Sequence, residues 1–266
     1  MILGGVETGL LEQGEAGPRL LLSHCSLAHS GAWKPLLAAL PPVRAAAPDL
    51  PGHGRTERDR ARTAERQGAD ALLALLDGEP SHLIGHSFGA RVALRAALDR
   101  PDAVLSLTLV EPMMFHLLDD AGDPLFDEEW EASVEWGRAL EAGNSDTAAR
   151  LFLALWGNGE RWEDIPPRQQ GYIKRCMPHV FEAGPEVMGH PPGQITLDEI
   201  AALTPPLTLI GGGLSRPGAL AIMRLIEEAS GAPLYIVEEA GHMVPITHPE
   251  ACAAVLAPVL SRPSSR

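Results

Sequence analysis

Gly85-His86-Ser87-Phe88-Gly89 sets a serine between two glycines, each two residues away. A serine hydroxyl becomes a useful nucleophile once a base takes its proton, so the chemistry on offer is acyl transfer: attack on a carbonyl, an oxyanion held by amides, and loss of a leaving group. The context matches. The apolar run His82-Leu83-Ile84-Gly85 reads as a strand directly before the pattern, and Gly89 to Leu98 carries apolar residues at helical spacing directly after it. A strand-to-helix turn this sharp strains the nucleophile, and side chains at the glycine positions would collide with neighbouring backbone. The helix start adds partial positive charge and free N–H groups beside Ser87, with the Phe88 amide as the expected oxyanion donor. The Phe88 side chain is the first expected substrate contact.

The elements that would position Ser87 follow a βαβ rhythm. Arg19–Ser23, Val43–Ala47, His82–Gly85 and Val104–Val110 read as strands, with helical spacing over Thr63–Leu76 and Gly89–Leu98. From Glu111 to about Ile200 the texture changes. Trp130, Trp136, Trp156 and Trp162 gather there beside acidic stretches such as Asp127-Glu128-Glu129, and no strand signal is clear. Strands resume at Pro206–Ile210 and Leu234–Val237, separated by a helix near Ala219–Ala229, and a helix over Ala251–Leu260 closes the chain before a short tail, Ser261–Arg266. The expected organisation is one core, residues 1–111 and 201–266, interrupted by a helical cap, residues 112–200.

With these pieces in order, the chain resembles the α/β-hydrolase superfamily over its full length except the cap. Leu20-Leu21-Leu22-Ser23-His24-Cys25-Ser26 is similar to the strand and His-Gly loop that supplies a second oxyanion amide, and Asp49-Leu50-Pro51-Gly52-His53-Gly54-Arg55-Thr56 is similar to the family's D-x-P-G-H-G-x-S loop. The resemblance implies a mostly parallel central sheet flanked by helices, with the cap inserted after the sixth strand. It also implies Ser26 N–H as the second oxyanion donor. Cys25 departs from the family's glycine, and a residue with a Cβ cannot use positive φ cheaply, so this loop is expected to take a different backbone path.

Ten histidines compete for the role of base. The family carries it in a Gly-His after the last strand, where this chain has Glu239-Ala240-Gly241-His242-Met243, so His242 is chosen. His24 and His86 flank the oxyanion region and are expected to shape it. His82 is expected at the surface, His53 in a turn, His248 as a helix cap, and His116, His179 and His190 in the cap, at its surface or along its pocket. His24, Cys25, Phe88, Met113 and Met243 are the residues expected to touch substrate; the tryptophans together with Met113, Met114, Phe115 and Leu117 suggest an apolar pocket.

A triad also needs a carboxylate to orient the imidazole and stabilise its cation. The family's usual place lies after the next-to-last strand, but here Gly211-Gly212-Gly213-Leu214-Ser215-Arg216-Pro217 holds no acid, and Glu227 and Glu228 fall on the following helix. Glu111 ends the strand next to the one that delivers Ser87, and parallel neighbours end at the same sheet edge. Certain haloalkane dehalogenases place their acid after this strand. The expected triad is therefore Ser87, His242 and Glu111. Asp119, Asp120 and Asp123 lie further into the cap, and a Ser-His dyad with Ser215 at the vacant position stays open.

Serine rather than aspartate as nucleophile points away from alkyl-ester chemistry and toward a carboxylesterase-like enzyme acting on small to medium uncharged esters. Carbon–carbon bond hydrolysis, perhydrolysis, a cyanohydrin lyase and a non-catalytic small-molecule receptor on the same fold stay open. No cofactor and no metal are expected. A net charge of −14, from 21 Lys+Arg against 35 Asp+Glu, opposes nucleic acid and anionic membranes as partners. The start MILGGVETGL lacks the charged-then-apolar pattern of a secretory signal, and the three cysteines have neither disulfide nor metal spacing. The expectation is a cytoplasmic protein acting on a small molecule, with a homodimer among the open quaternary states.

Overall fold

A computed structural model describes residues 1–261; most of the expected tail, from residue 262 on, lies outside the described residues. Its strands are β1 (Ile2–Leu3), β2 (Val6–Glu7), β3 (Leu10–Gln13), β4 (Arg19–Ser23), β5 (Arg44–Pro48), β6 (Ser81–His86), β7 (Val104–Val110), β8 (Leu207–Gly212) and β9 (Leu234–Val237). In the core run α1 (Lys34–Ala39), α2 (Ala64–Leu76) and α3 (Phe88–Asp99) before the break, and α10 (Pro217–Ser230), α11 (Val244–Thr247) and α12 (Pro249–Leu260) after it. Between β7 and β8 the chain is helical: α4 (His116–Asp120), α5 (Leu125–Glu141), α6 (Ser145–Trp156), α7 (Pro167–Glu182), α8 (Gly184–Met188) and α9 (Leu197–Ala201).

Seven strands make the main sheet in the order β3-β5-β4-β6-β7-β8-β9, all parallel except β3, while β1 and β2 form a separate hairpin. Because residues before Leu10 stay out of the sheet, β7 is its fifth strand in chain order, and the helical segment leaves after that strand.

Period-two alternation decides which helices each strand meets. Leu20 and Leu22 face a core shared with Trp33 and Leu36 on the α1 side and Leu256 of α12. Leu21, Leu107 and Leu109 face the opposite core, with Leu72 of α2, Leu94 of α3 and Ile222 of α10. Each fully buried leucine contributes about 1.5–3 kcal/mol relative to an exposed one. A third, smaller core holds the helical segment together around Trp136, Trp162, Ile173 and Met177.

The segment is also tied to the sheet domain by polar groups. Glu186 of α8 accepts the Ala64 and Glu65 amides at 2.8 and 2.7 Å, closing two of the free N–H groups that start α2. Beside it Arg91 pairs with Glu65 and donates to Gln194. Burial pushes the Glu186 carboxyl above its ordinary range.

Register places the chemistry. His86 pairs with Val110, and Val110 with Ile210, so Ser87, Glu111 and Gly211 leave the same edge side by side. The ladder runs one step past the strands: Ser87 N–H donates to Val110 O at 2.9 Å and Glu111 N–H to Ile210 O at 3.0 Å.

Candidate active site

Ser87 sits at φ 58°, ψ −122°, between the last residue of β6 and the first of α3. A left-handed φ on a residue with a Cβ costs about 1–3 kcal/mol and holds the side chain up from the sheet edge. The glycines permit it by close approach. A Cβ on Gly89 would lie 2.2 Å from Ser23 O, and one on Gly85 2.3 Å from Gly89 O.

His242 reaches Ser87 Oγ with Nε2 at 3.0 Å and Glu111 Oε2 with Nδ1 at 3.1 Å. The carboxylate fixes the tautomer: Nδ1–H donates to it, which leaves the Nε2 lone pair for the serine proton. Glu111 is fully buried at φ 49°, so this residue too is held in a strained backbone state. Its other oxygen, Oε1, accepts the Gly212 amide at 2.7 Å and the Ser215 hydroxyl at 2.8 Å. A buried carboxylate with three donors around it is satisfied, which burial demands. Asp119 and Asp120 lie elsewhere, against His190 on the exposed side of the segment.

The His242 ring has aromatic neighbours on two sides. Trp156 stands edge-on at 5.2 Å between centroids and His86 lies tilted at the same distance. His86 Nε2–H donates to His242 O at 2.9 Å. Burial, then the nearness of His242, holds the His86 pKa well below its ordinary value, so it adds no cation to the site.

On the other side of Ser87, Phe88 and Ser26 line one cavity with it. Their amides have no hydrogen-bond acceptor among the described residues. The loop bearing Ser26 takes its positive φ at Leu27 (62°), not at Cys25. His53 secures that turn, accepting Leu27 N–H on Nε2 at 3.0 Å and donating from Nδ1 to Pro51 O. His24 accepts Leu50 N–H on Nε2 at 2.9 Å and donates from Nδ1 to Cys25 O. Both rings are buried, and burial pulls their pKa values down to about 4 for His24 and about 3 for His53. Burial likewise pushes the Cys25 thiol up to about 12.

These contacts correct two expectations: His24 and Cys25 do not border the cavity, because the first spends both nitrogens on backbone and the second is packed inside. Met113 and Phe88 do line the cavity, of about 690 Å³. Phe115, Trp130, Trp136, Trp156 and Val187 help close it, whereas Met114 and Leu117 are fully buried in core. Met243 borders a second cavity instead. Three further histidines differ from expectation. His82 is buried against Ser106 Oγ at 2.7 Å, His116 is buried donating to Ile195 O at 2.8 Å, and the His248 side chain meets Thr247 Oγ1 rather than capping α12. Among the described residues no cluster of His, Cys, Asp and Glu could hold a metal ion, and no helix is long and apolar enough to cross a membrane.

Two features were not read from the sequence: the Ser215 bond to Glu111 and the edge contact of Trp156 with the His242 ring. The vacant acid position at Ser215 was the one signal available for the first.

A mostly parallel sheet flanked by helices, with Ser87 held in a strained turn between β6 and α3, is the frame of an α/β-hydrolase fold. Residues 20–255 match the model of the Alpha/beta hydrolase family, and the chain belongs to that family. It is 31% identical over 261 residues to the pimeloyl-[acyl-carrier protein] methyl ester esterase of Methylococcus capsulatus, covering 92% of this chain and 96% of that protein. Lipase LipV of Mycobacterium tuberculosis is 42% identical over 103 residues, which span 37% of this chain and only 39% of the lipase. The enol-lactonase from Burkholderia xenovorans LB400 shares the fold at TM-score 0.77 and 18% identity, covering 98% of this chain and 99% of that one.

Proposed function

We propose that the chain hydrolyses small to medium uncharged carboxylic esters through a Ser87-His242-Glu111 triad. One observation carries the reading: the unbroken hydrogen-bond path from Glu111 through His242 to Ser87. Esterase and lipase activities in the names of relatives support it.

Ser87 Oγ attacks the ester carbon while its proton passes to His242 Nε2. The carbonyl electrons move onto oxygen, where the Phe88 and Ser26 amides receive the charge. As the carbonyl reforms, the C–O bond to the alcohol breaks with its electron pair, and His242 gives its proton to the departing oxygen. Water, deprotonated by the same ring, then releases the acid and restores Ser87. Glu111 holds the Nδ1–H and stabilises the imidazolium formed twice per turnover.

Release of p-nitrophenol from acetate and butyrate esters, and labelling by a fluorophosphonate, are expected of the wild type and lost in Ser87→Ala. No release at any chain length would favour a ligand receptor on this fold, and labelling at another residue would remove Ser87 as nucleophile.

A further inference from the structure

The loop between β8 and α10 reaches the base by two routes. Ser215 does so through Glu111, to which it donates. The next residue, Arg216, does so through Trp156 of α6. Its guanidinium carbon lies over the Trp156 ring, 5.5 Å from the centroid, and that ring stands at 70° to His242 with 5.2 Å between centroids. Both separations fall where a cation over an indole, and two rings set edge to face, attract.

Arg216 is itself anchored. Its Nε donates to Glu129 Oε2 of α5 at 2.7 Å, and the side chain of Glu129 is only 2% exposed. Gly218, in the first turn of α10, makes room for that carboxylate, since a Cβ there would stand 2.6 Å from Glu129 Cγ. A buried carboxylate needs its cation, so the pair fixes where the guanidinium sits. The carboxylate also balances the charge. Arg216 and His242 border one cavity of about 540 Å³, and an unpaired guanidinium there would oppose the imidazolium formed during turnover.

Resting on the triad reading, we propose that Arg216 is a positioning residue for the base: clamped by Glu129, it holds the Trp156 indole against the His242 ring. Two helices of the segment, α5 and α6, thereby meet the loop after β8 at one guanidinium. What Arg216 supplies is order in the ring, whose Nε2 lone pair must face Ser87 Oγ across 3.0 Å and later present its proton to the departing oxygen. Arg216 stands outside the lining of the cavity beside Ser87, so its loss acts on the chemical step rather than on substrate binding.

The test measures kcat, KM and melting temperature with p-nitrophenyl butyrate for Arg216→Met, for Glu129→Gln/Arg216→Met, and for Arg216→Met in a Trp156→Ala background. Arg216→Met is expected to lower kcat about tenfold, less than the roughly 10² lost when a base is loosened by about 1 Å, with KM nearly unchanged. Its melting temperature falls as well, because Glu129 is left buried without a cation. Glu129→Gln/Arg216→Met removes both charges, so melting temperature is expected to recover while kcat stays low. With Trp156→Ala already in place, Arg216→Met is expected to cost less than about twofold in kcat, because its route to the base is gone. An unchanged kcat in Arg216→Met, recovery of kcat together with melting temperature, or an undiminished loss in the absence of Trp156 would each overturn the proposal. Turnover that survives Ser87→Ala would instead overturn the triad reading on which it rests.

Discussion

Ser215 donates its hydroxyl proton to Glu111 Oε1 at 2.8 Å, so the residue standing where relatives of this fold keep their acid is a hydrogen-bond donor to the carboxylate that sits one strand away. The two positions are adjacent because Val110 and Ile210 pair in register. The carboxylate that meets His242 therefore lies one strand away from Ser215.

Glu111→Gln is expected to lower kcat by about 10⁴, the scale of the equivalent change in serine proteases, because an amide can hold His242 in the wrong tautomer. Its melting temperature should stay near that of the wild type, as the amide oxygen still accepts from Gly212 and Ser215. Near-native turnover would mean that Ser87 and His242 work as a dyad.

Ser215→Ala removes one of three donors to a carboxylate that keeps its other two. A loss of about ten- to a hundredfold in kcat is expected, in line with roughly 1.5–3 kcal/mol for a hydrogen bond to a charged group. A loss as large as that of Glu111→Gln would move the orienting role to Ser215.

Trp156→Ala takes away the edge contact with His242 and part of the wall of the cavity beside Ser87. Loosening a base by about 1 Å can cost about 10² in rate. The expected result is a fall in kcat of that order, measured on p-nitrophenyl butyrate under saturation. An unchanged kcat with a raised KM would show that Trp156 binds substrate without steadying the base.

Acid should unfold the protein through its buried neutral histidines. His24, His53 and His116 are held down to about 4, 3 and 4, from an ordinary 6.5, chiefly by burial. The unfolded chain therefore binds protons from pH 6.5 downward while the folded chain does not, so stability is complete above that pH and falls as pH drops toward 4. The slope is up to about 1.4 kcal/mol per pH unit for each ring. Melting temperature followed from pH 7 to pH 4 should fall steeply, and His116→Gln, which keeps a donor for Ile195 O, should fall less. Equal slopes in the two proteins would exclude His116 from the effect.

Strong local patterns made much of this fold legible. Val104–Val110 and Leu234–Val237 are strands over the expected residues, and helix boundaries such as Thr63, which caps α2, fall within a residue or two of expectation. The edge strand Leu10–Gln13 was missed because Leu-Leu-Glu-Gln is short and only partly covered, and it is paired by β5 more than thirty residues later. Glu111 could be named because it directly follows the strand beside Ser87, ahead of Asp119, Asp120 and Asp123. The burial of His24, His53, His82 and His116 was hidden for the opposite reason: their partners Leu50, Leu27, Ser106 and Ile195 are distant in sequence, and nothing local marks such a pairing. The wall formed by the tryptophans depends on which helix face turns toward Ser87, a matter of tertiary packing.

Glu186 gives the helical segment a fixed point. Swinging that end away from the sheet would strip two amides at the start of α2 of their acceptor and leave the Arg91-Glu65 pair without its neighbour. A hinged lid pivoting from both ends is therefore disfavoured. The cavity beside Ser87 is walled by α5, α6, α7 and α8, so with that end pinned its shape would change by these helices shifting against one another rather than by a domain swing.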